Sequence, residues 1–142
     1  MGQMSERQCR EFLTEGTRTA RLGTVRRDGR PHVTPVWFVM DGPDLMTVTP
    51  RDSVKGRAIL RDPRVSVCVD DDRPPFSFVL MDAEVSTTED PEQTLYWSTR
   101  NAERYVGPEQ ADHYGRLNAG EGTLLLRISP TKILSEDNVT EV

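Results

Sequence analysis

Between Thr47 and Arg64 the chain reads TVTPRDSVKGRAILRDPR, and much of its candidate binding chemistry is crowded there. Arg51, Ser53, Lys55 and Arg57 follow directly on an apolar run that ends in Thr49-Pro50. Hydroxyl, ammonium and guanidinium groups at a strand-to-helix junction suit an anion, most often a phosphate. The same composition also suits a solvated helix start, so the spacing leaves both readings open. Lysine is scarce: there are sixteen arginines, but the lysines are Lys55 and Lys132 alone.

Other reactive side chains form no recognisable catalytic set. Cys9 and Cys68 lack metal-ligand spacing, and His32 and His113 lie far from both in sequence. Cys68, inside VSVCV, reads as a buried free thiol. Asp82 and Glu84 share a strand face, a spacing more often found on a surface than in an acid–base couple. Asp70, Asp71 and Asp72 lack the Gly and Glu of a calcium loop and read as a solvated turn. No dinucleotide fingerprint, phosphate-binding P-loop or nucleophile elbow is present. If the chain catalyses a reaction, a bound cofactor carries it.

The elements that position these residues follow from periodicity. Ser5-x-x-Gln8 is a capping box, and Cys9, Phe12 and Leu13 give one apolar helix face that ends near Gly16. From Thr17 the period becomes two, and Asp28-Gly29 marks a hairpin. The return strand, Pro31 to Met40, carries Pro35, which marks an edge, a bulge or a kink. Trp37 is then either ordinary core or a group re-aimed toward a site. A third strand, Leu45 to Val48, feeds a short helix that Asp62-Pro63 stops. Val65 to Val69 alternates little and reads as buried on both faces. Phe76 to Ser86 is a fifth strand. Asp90-Pro91 opens a helix that Gly107-Pro108 breaks, and a second helix runs from Glu109 to Leu117. Thr123 to Ile128 and Lys132 to Leu134 read as two strands parted by Pro130, followed by a polar, frayed tail from about residue 135 to 142. Consecutive strands with short turns imply a mainly β (α+β) class with an antiparallel sheet closed into a barrel.

Length and composition agree with one domain over residues 1–142, long enough for a real core. A net charge of -5 argues against broad binding to nucleic acid or anionic membrane. No apolar run is long enough to span a bilayer and the N-terminus lacks a signal core, so a soluble, cytoplasmic protein is expected.

Three blocks together carry a family resemblance: RLGTVRRDGRPHVTPVWFVMDG, TVTPRDSVKGRAILRDPRVSVCVDDDRPPFSFV, and the late Arg104-Tyr105 with RISPTKIL. They make the chain similar to the pyridoxamine 5'-phosphate oxidase-like split β-barrel flavin and deazaflavin proteins, and most like the branch (FDOR-B type) that uses coenzyme F-420. The resemblance implies six to seven antiparallel strands with peripheral helices, and a homodimer with cofactor clefts at its interface. It puts Thr34, Pro35, Val36 and Trp37 beside a tricyclic ring and Thr47, Val48 and Thr49 beneath it. Arg51, Ser53, Lys55 and Arg57 would hold the phosphate and the start of an acidic tail, and the partner's Trp97, Arg104 and Tyr105 would complete the pocket. The expected activity is hydride transfer between coenzyme F-420 and a small unsaturated or electron-poor molecule. FMN is the alternative cofactor, and a non-catalytic carrier of flavin, tetrapyrrole or fatty acid is the alternative role. Two positions depart from the family pattern: Asp82-Ala83, where Gly and a small residue are common, and Glu136, where an apolar or aromatic residue is common. Either would alter the substrate side or the dimer packing.

Overall fold

The computed structural model describes residues 2–140. In chain order its elements are α1 (Glu6–Thr14), β1 (Ala20–Val25), β2 (Pro31–Val36), β3 (Val39–Asp41), β4 (Asp44–Pro50), α2 (Val54–Arg61), β5 (Arg64–Asp70), β6 (Phe78–Thr88), α3 (Pro91–Val106), α4 (Pro108–Asn118) and β7 (Thr123–Glu136). The strands form one sheet in the order β2-β1-β5-β6-β7-β4-β3, and every neighbouring pair is antiparallel.

That order forces the sheet to curl. β2 and β3 sit at opposite edges, yet only Trp37 and Phe38 lie between them. Laid flat, seven strands would hold those edges about 29 Å apart, six spacings of ~4.8 Å. Three Cα steps cover at most about 11 Å. The sheet must therefore wrap until its edges nearly meet, which makes it a split barrel. Its interior is apolar: Leu22, Phe38, Leu45, Val67, Val69, Val79, Met81, Leu126 and Ile128 are buried together.

Local chemistry sets the element boundaries. Ser5 Oγ accepts from the Gln8 N–H at 3.1 Å, and Gln8 Oε1 accepts from the Ser5 N–H at 2.8 Å, completing the expected capping box. The β1–β2 hairpin turns through Gly29 at φ +89°, a conformation that a side chain would strain. Asp90 caps α3 by accepting from the Gln93 N–H at 3.0 Å, with Pro91 in its first turn. α3 covers the outer face near β4, where Asn101 Nδ2 donates to the Met46 carbonyl at 3.1 Å, and α4 packs against α3.

Several sequence expectations are revised. The run from Pro31 to Met40 is two strands, because its backbone leaves one sheet edge and joins the other at Trp37-Phe38. Pro35 does lie in an edge strand, opposite Arg21. β5 is not buried on both faces: Val65, Val67 and Val69 point inward, Ser66 is exposed and Cys68 is half-buried, since no helix covers the outer face there. Burial still pushes the Cys68 thiol pKa up. The two last strands are one, β7, whose pairing with β6 shifts register between Asp82 and Ala83. Asp82 faces Lys132 and Ala83 faces Pro130, so Thr131 is the extra residue of a bulge and Pro130 is accommodated without a broken strand. The tail is not frayed up to residue 140. The Met4 N–H donates to Ser135 Oγ, the Asp137 N–H to the Gly2 carbonyl and the Val139 N–H to the Pro75 carbonyl, each at 2.9 Å. The rest of the expected tail, residues 141–142, lies outside the described residues. His32, whose place near a strand start suggests an exposed side chain, is half-buried.

Candidate functional site

The first wall of the site exists because the backbone leaves the sheet. At Trp37-Phe38 the ladder lapses, and the freed polar groups need partners. α3 supplies them. The Phe38 N–H donates to Tyr105 Oη at 3.2 Å, and Arg104 Nη1 donates to the Phe38 carbonyl at 2.7 Å. Tyr105 Oη also donates to the Arg18 carbonyl at 2.8 Å, and its burial pushes the phenol pKa up. Arg104 further donates to the Leu13 and Gly16 carbonyls at 2.8 and 3.0 Å. The Tyr105 ring stacks on Trp37, centroids 5.1 Å apart and nearly parallel. Phe38 is fully buried beneath, and Trp37 stays half-buried.

A cleft of about 440 Å³ opens beside this crossing. Pro35, Val36 and Trp37 line one side, and Thr47, Val48, Thr49 and Pro50 of β4 line another. Lys55 of α2 reaches it from the end. Ser98 and Asn101 of α3, Leu117 and Asn118 of α4, and the loop into Thr123 complete it. Such a volume, lined by apolar and polar groups in nearly equal measure, is of ligand-site size.

Lys55 sets the electrostatics. It is half-buried, burial lowers its pKa, and it has no ion-pair or hydrogen-bond partner among the described residues. The two flanking cations are otherwise occupied. Arg51 pairs with Glu89, and Arg57 is exposed with Nε donating to the Asp52 carbonyl at 3.1 Å. Ser53 is the N-cap of α2: its hydroxyl accepts from the Gly56 N–H at 3.1 Å, donates to the Pro50 carbonyl at 2.7 Å and lies 3.3 Å from Thr49 Oγ1.

The structure thus brings seven of the sequence-nominated residues to one cleft: Pro35, Val36, Trp37, Thr47, Val48, Thr49 and Lys55. Thr34, Arg51, Ser53 and Arg57 flank it without lining it. Thr34 Oγ1 is buried and unpartnered. Tyr105 and Arg104 stand behind the wall, holding residues 37–38 of their own chain. Trp97, one helical turn before Asn101, contacts Tyr96 edge-on and lies 5.9 Å beneath the Arg100 guanidinium. Asp82 is elsewhere. It lines a wider hollow of about 540 Å³ on the uncovered outer face, with Gly23, Val33, Ser66 and Glu84. Trp37 and Asp82 therefore do not share a cleft within one chain.

Sequence reasoning missed the wall made by Ser98, Asn101 and residues 117–123. Its one available signal was the polar run Thr94, Ser98 and Asn101 at helical spacing along α3, all three buried. Asn101 Oδ1 is buried without a partner, while Nδ2 is bound to the Met46 and Trp97 carbonyls. Among the described residues no group of His, Cys, Asp and Glu is placed to hold a metal, and no helix is long and apolar enough to cross a membrane.

A family model described as pyridoxamine 5'-phosphate oxidase matches residues 5–135. No curated protein sequence matches. Among solved structures, a conserved hypothetical protein from Mycobacterium tuberculosis is 28% identical at a TM-score of 0.83, covering 94% of this chain and 85% of its own. An F-420 reductase is also 28% identical, at a TM-score of 0.72, covering 87% of this chain and 94% of its own. HutZ, a heme storage protein from Vibrio cholerae, is 24% identical at 0.71, covering 92% and 94%, and its likeness is one of fold.

Proposed function

The chain belongs to the pyridoxamine 5'-phosphate oxidase family, and from that membership we propose that it is an oxidoreductase that binds coenzyme F-420. It would exchange a hydride with a small unsaturated or electron-poor molecule and act as a homodimer. The observation that carries the reading is Lys55. A half-buried ammonium is costly unless an anion meets it, and this one faces a ligand-sized cleft without a protein partner. A phosphate supplies the missing charge. The 28% identity to an F-420 reductase and the sequence blocks quoted above favour the deazaflavin.

The residues present fit such a group. Lys55 would hold the phosphate, with Arg57 near enough in sequence to assist. Pro35, Val36 and Trp37 would hold the ring, Trp37 being fixed from behind by the Tyr105 stack. Thr47 and Thr49, both buried, would form the floor. A bound reduced deazaflavin supplies a hydride donor with little taste for one-electron chemistry. The protein's part is to bind, orient and keep water out, a proximity effect that needs no side-chain nucleophile. The uncovered outer face, where Val33 is 63% and Val25 47% exposed, is the surface a second copy would cover. The partner would bring its own α3 residues toward the cleft.

FMN is the second reading, favoured by one observation: the cleft is lined by a single cation, which suits one phosphate and leaves no second cation in the lining for an acidic tail. Titrating the protein with F-420 and with FMN, followed by cofactor fluorescence or calorimetry, decides between them. F-420 is expected to bind with Kd below about 100 μM, the range above which contacts are weak. Tighter binding of FMN alone moves the assignment to FMN, and binding of neither removes it.

A further inference from the structure

We propose that Glu89 is an internal competitor for Arg51, and that it sets how tightly the cleft holds a ligand's acidic tail. The proposal rests on the reading above, that a phosphate-bearing deazaflavin occupies the cleft. Arg51 directly follows Pro50, which lines that cleft, and stands four residues before Lys55. Its backbone N–H donates to the Gly122 carbonyl at 2.8 Å, which ties it to the loop forming the opposite wall. Its guanidinium does not reach toward the cleft. It is paired with the Glu89 carboxylate, just before the cap of α3.

Glu89 lines a smaller hollow of about 310 Å³, and that hollow shares residues 120–123 with the main cleft. Glu121 lines both and forms no ion pair among the described residues. A chain of carboxylates leaving the main cleft along this shared wall therefore meets two acids, and one arginine already holding a carboxylate. Like charges repel and opposite charges exchange: a ligand carboxylate gains Arg51 only by replacing Glu89 there. The Glu89 carboxylate stands where such a ligand group would sit. Both members of the pair are about half exposed, so the exchange is inexpensive and the effect graded.

The test is a thermodynamic cycle on the intact protein, with Kd measured for F-420 and for FMN at low ionic strength. Glu89→Gln keeps the size of the side chain and removes its charge. It is expected to tighten F-420 by about two- to fivefold, the span of an exposed ion pair. It should leave FMN, which has no carboxylate tail, nearly unchanged. In an Arg51→Gln background the gain should vanish, since the two residues act through one contact. An unchanged F-420 affinity in Glu89→Gln overturns the proposal. So does an equal gain for FMN, or a gain that persists without Arg51, because either would mean diffuse electrostatics and not competition at one guanidinium. If the unaltered protein binds neither cofactor, the functional reading itself falls and this inference with it.

Discussion

Lys55 is the residue on which binding and stability pull in opposite directions. Burial lowers its pKa below the ordinary 10.5, so the folded, ligand-free chain disfavours the charged form. The sign follows: at neutral pH the ammonium is a burden on the free protein, and the burden lifts as pH rises through the lowered pKa toward 10.5. A bound phosphate reverses this by favouring the charge. Lys55→Met should therefore leave the melting temperature of the free protein unchanged or slightly raised. It should weaken cofactor binding roughly ten- to a hundredfold, the loss of a charge-assisted contact. In the unaltered protein, cofactor affinity should fall with rising pH at values lower than for an ordinary lysine, while the variant's affinity stays flat; calorimetric titrations across pH would measure both. Lys55 could be picked out in the sequence as a candidate, because a rare lysine stood at a strand-to-helix junction, and the structure puts it at the cleft. The fates of its neighbours were not. Ser53 spends its hydroxyl on the helix cap, and Arg51 turns to Glu89, some forty positions away. Spacing reports which groups are near in the chain, not which partners reach them first.

Among the elements, α2 is placed by one glycine. A Cβ at Gly56 would press on the Pro50 carbonyl oxygen and lie 2.7 Å from that of Arg51, both backbone atoms that cannot swing away. Gly56→Ala should cost about 1–3 kcal/mol by overpacking. It should also weaken cofactor binding, because Lys55 is the preceding residue; thermal melts and titration together would separate the two effects. α3, by contrast, was readable from its Asp-Pro start and Gly-Pro stop, since those residues act on their own backbone. The strands show where such local signals fail. No turn residue marks the break at Trp37-Phe38, because it is imposed by closure of the sheet and stabilised by Arg104 and Tyr105 far along the chain. Pro130 looked like a strand end because it lacks an N–H. A bulge opposite Asp82-Ala83 absorbs it, so the departure noted there coincides with a shift in register.

For the molecule as a whole, the helices are unevenly placed. α3, backed by α4, covers the outer side near β4, while the outer side of β1, β2, β5 and β6 carries Val25, Val33, Ser66 and Leu80 with no helix over them among the described residues. A second copy packed there would bury this face, and sedimentation should find a dimer. Val33→Glu, a charge set on that face at its most exposed valine, should shift it to monomer while the far-ultraviolet circular dichroism is kept. A dimer undisturbed by Val33→Glu would place the contact elsewhere. Barrel class and strand direction were legible from runs of short strands; which face lay bare was not, since that depends on where the late helices dock. The tie between the Asp137 N–H and the Gly2 carbonyl at 2.9 Å has a different consequence. It sets residues 2 and 137 side by side, close enough for a short link to join them. A short linker from residue 137 to residue 2, with new ends opened at the exposed Asp28-Gly29 turn, should yield a circular permutant that keeps the fold, as circular dichroism would read.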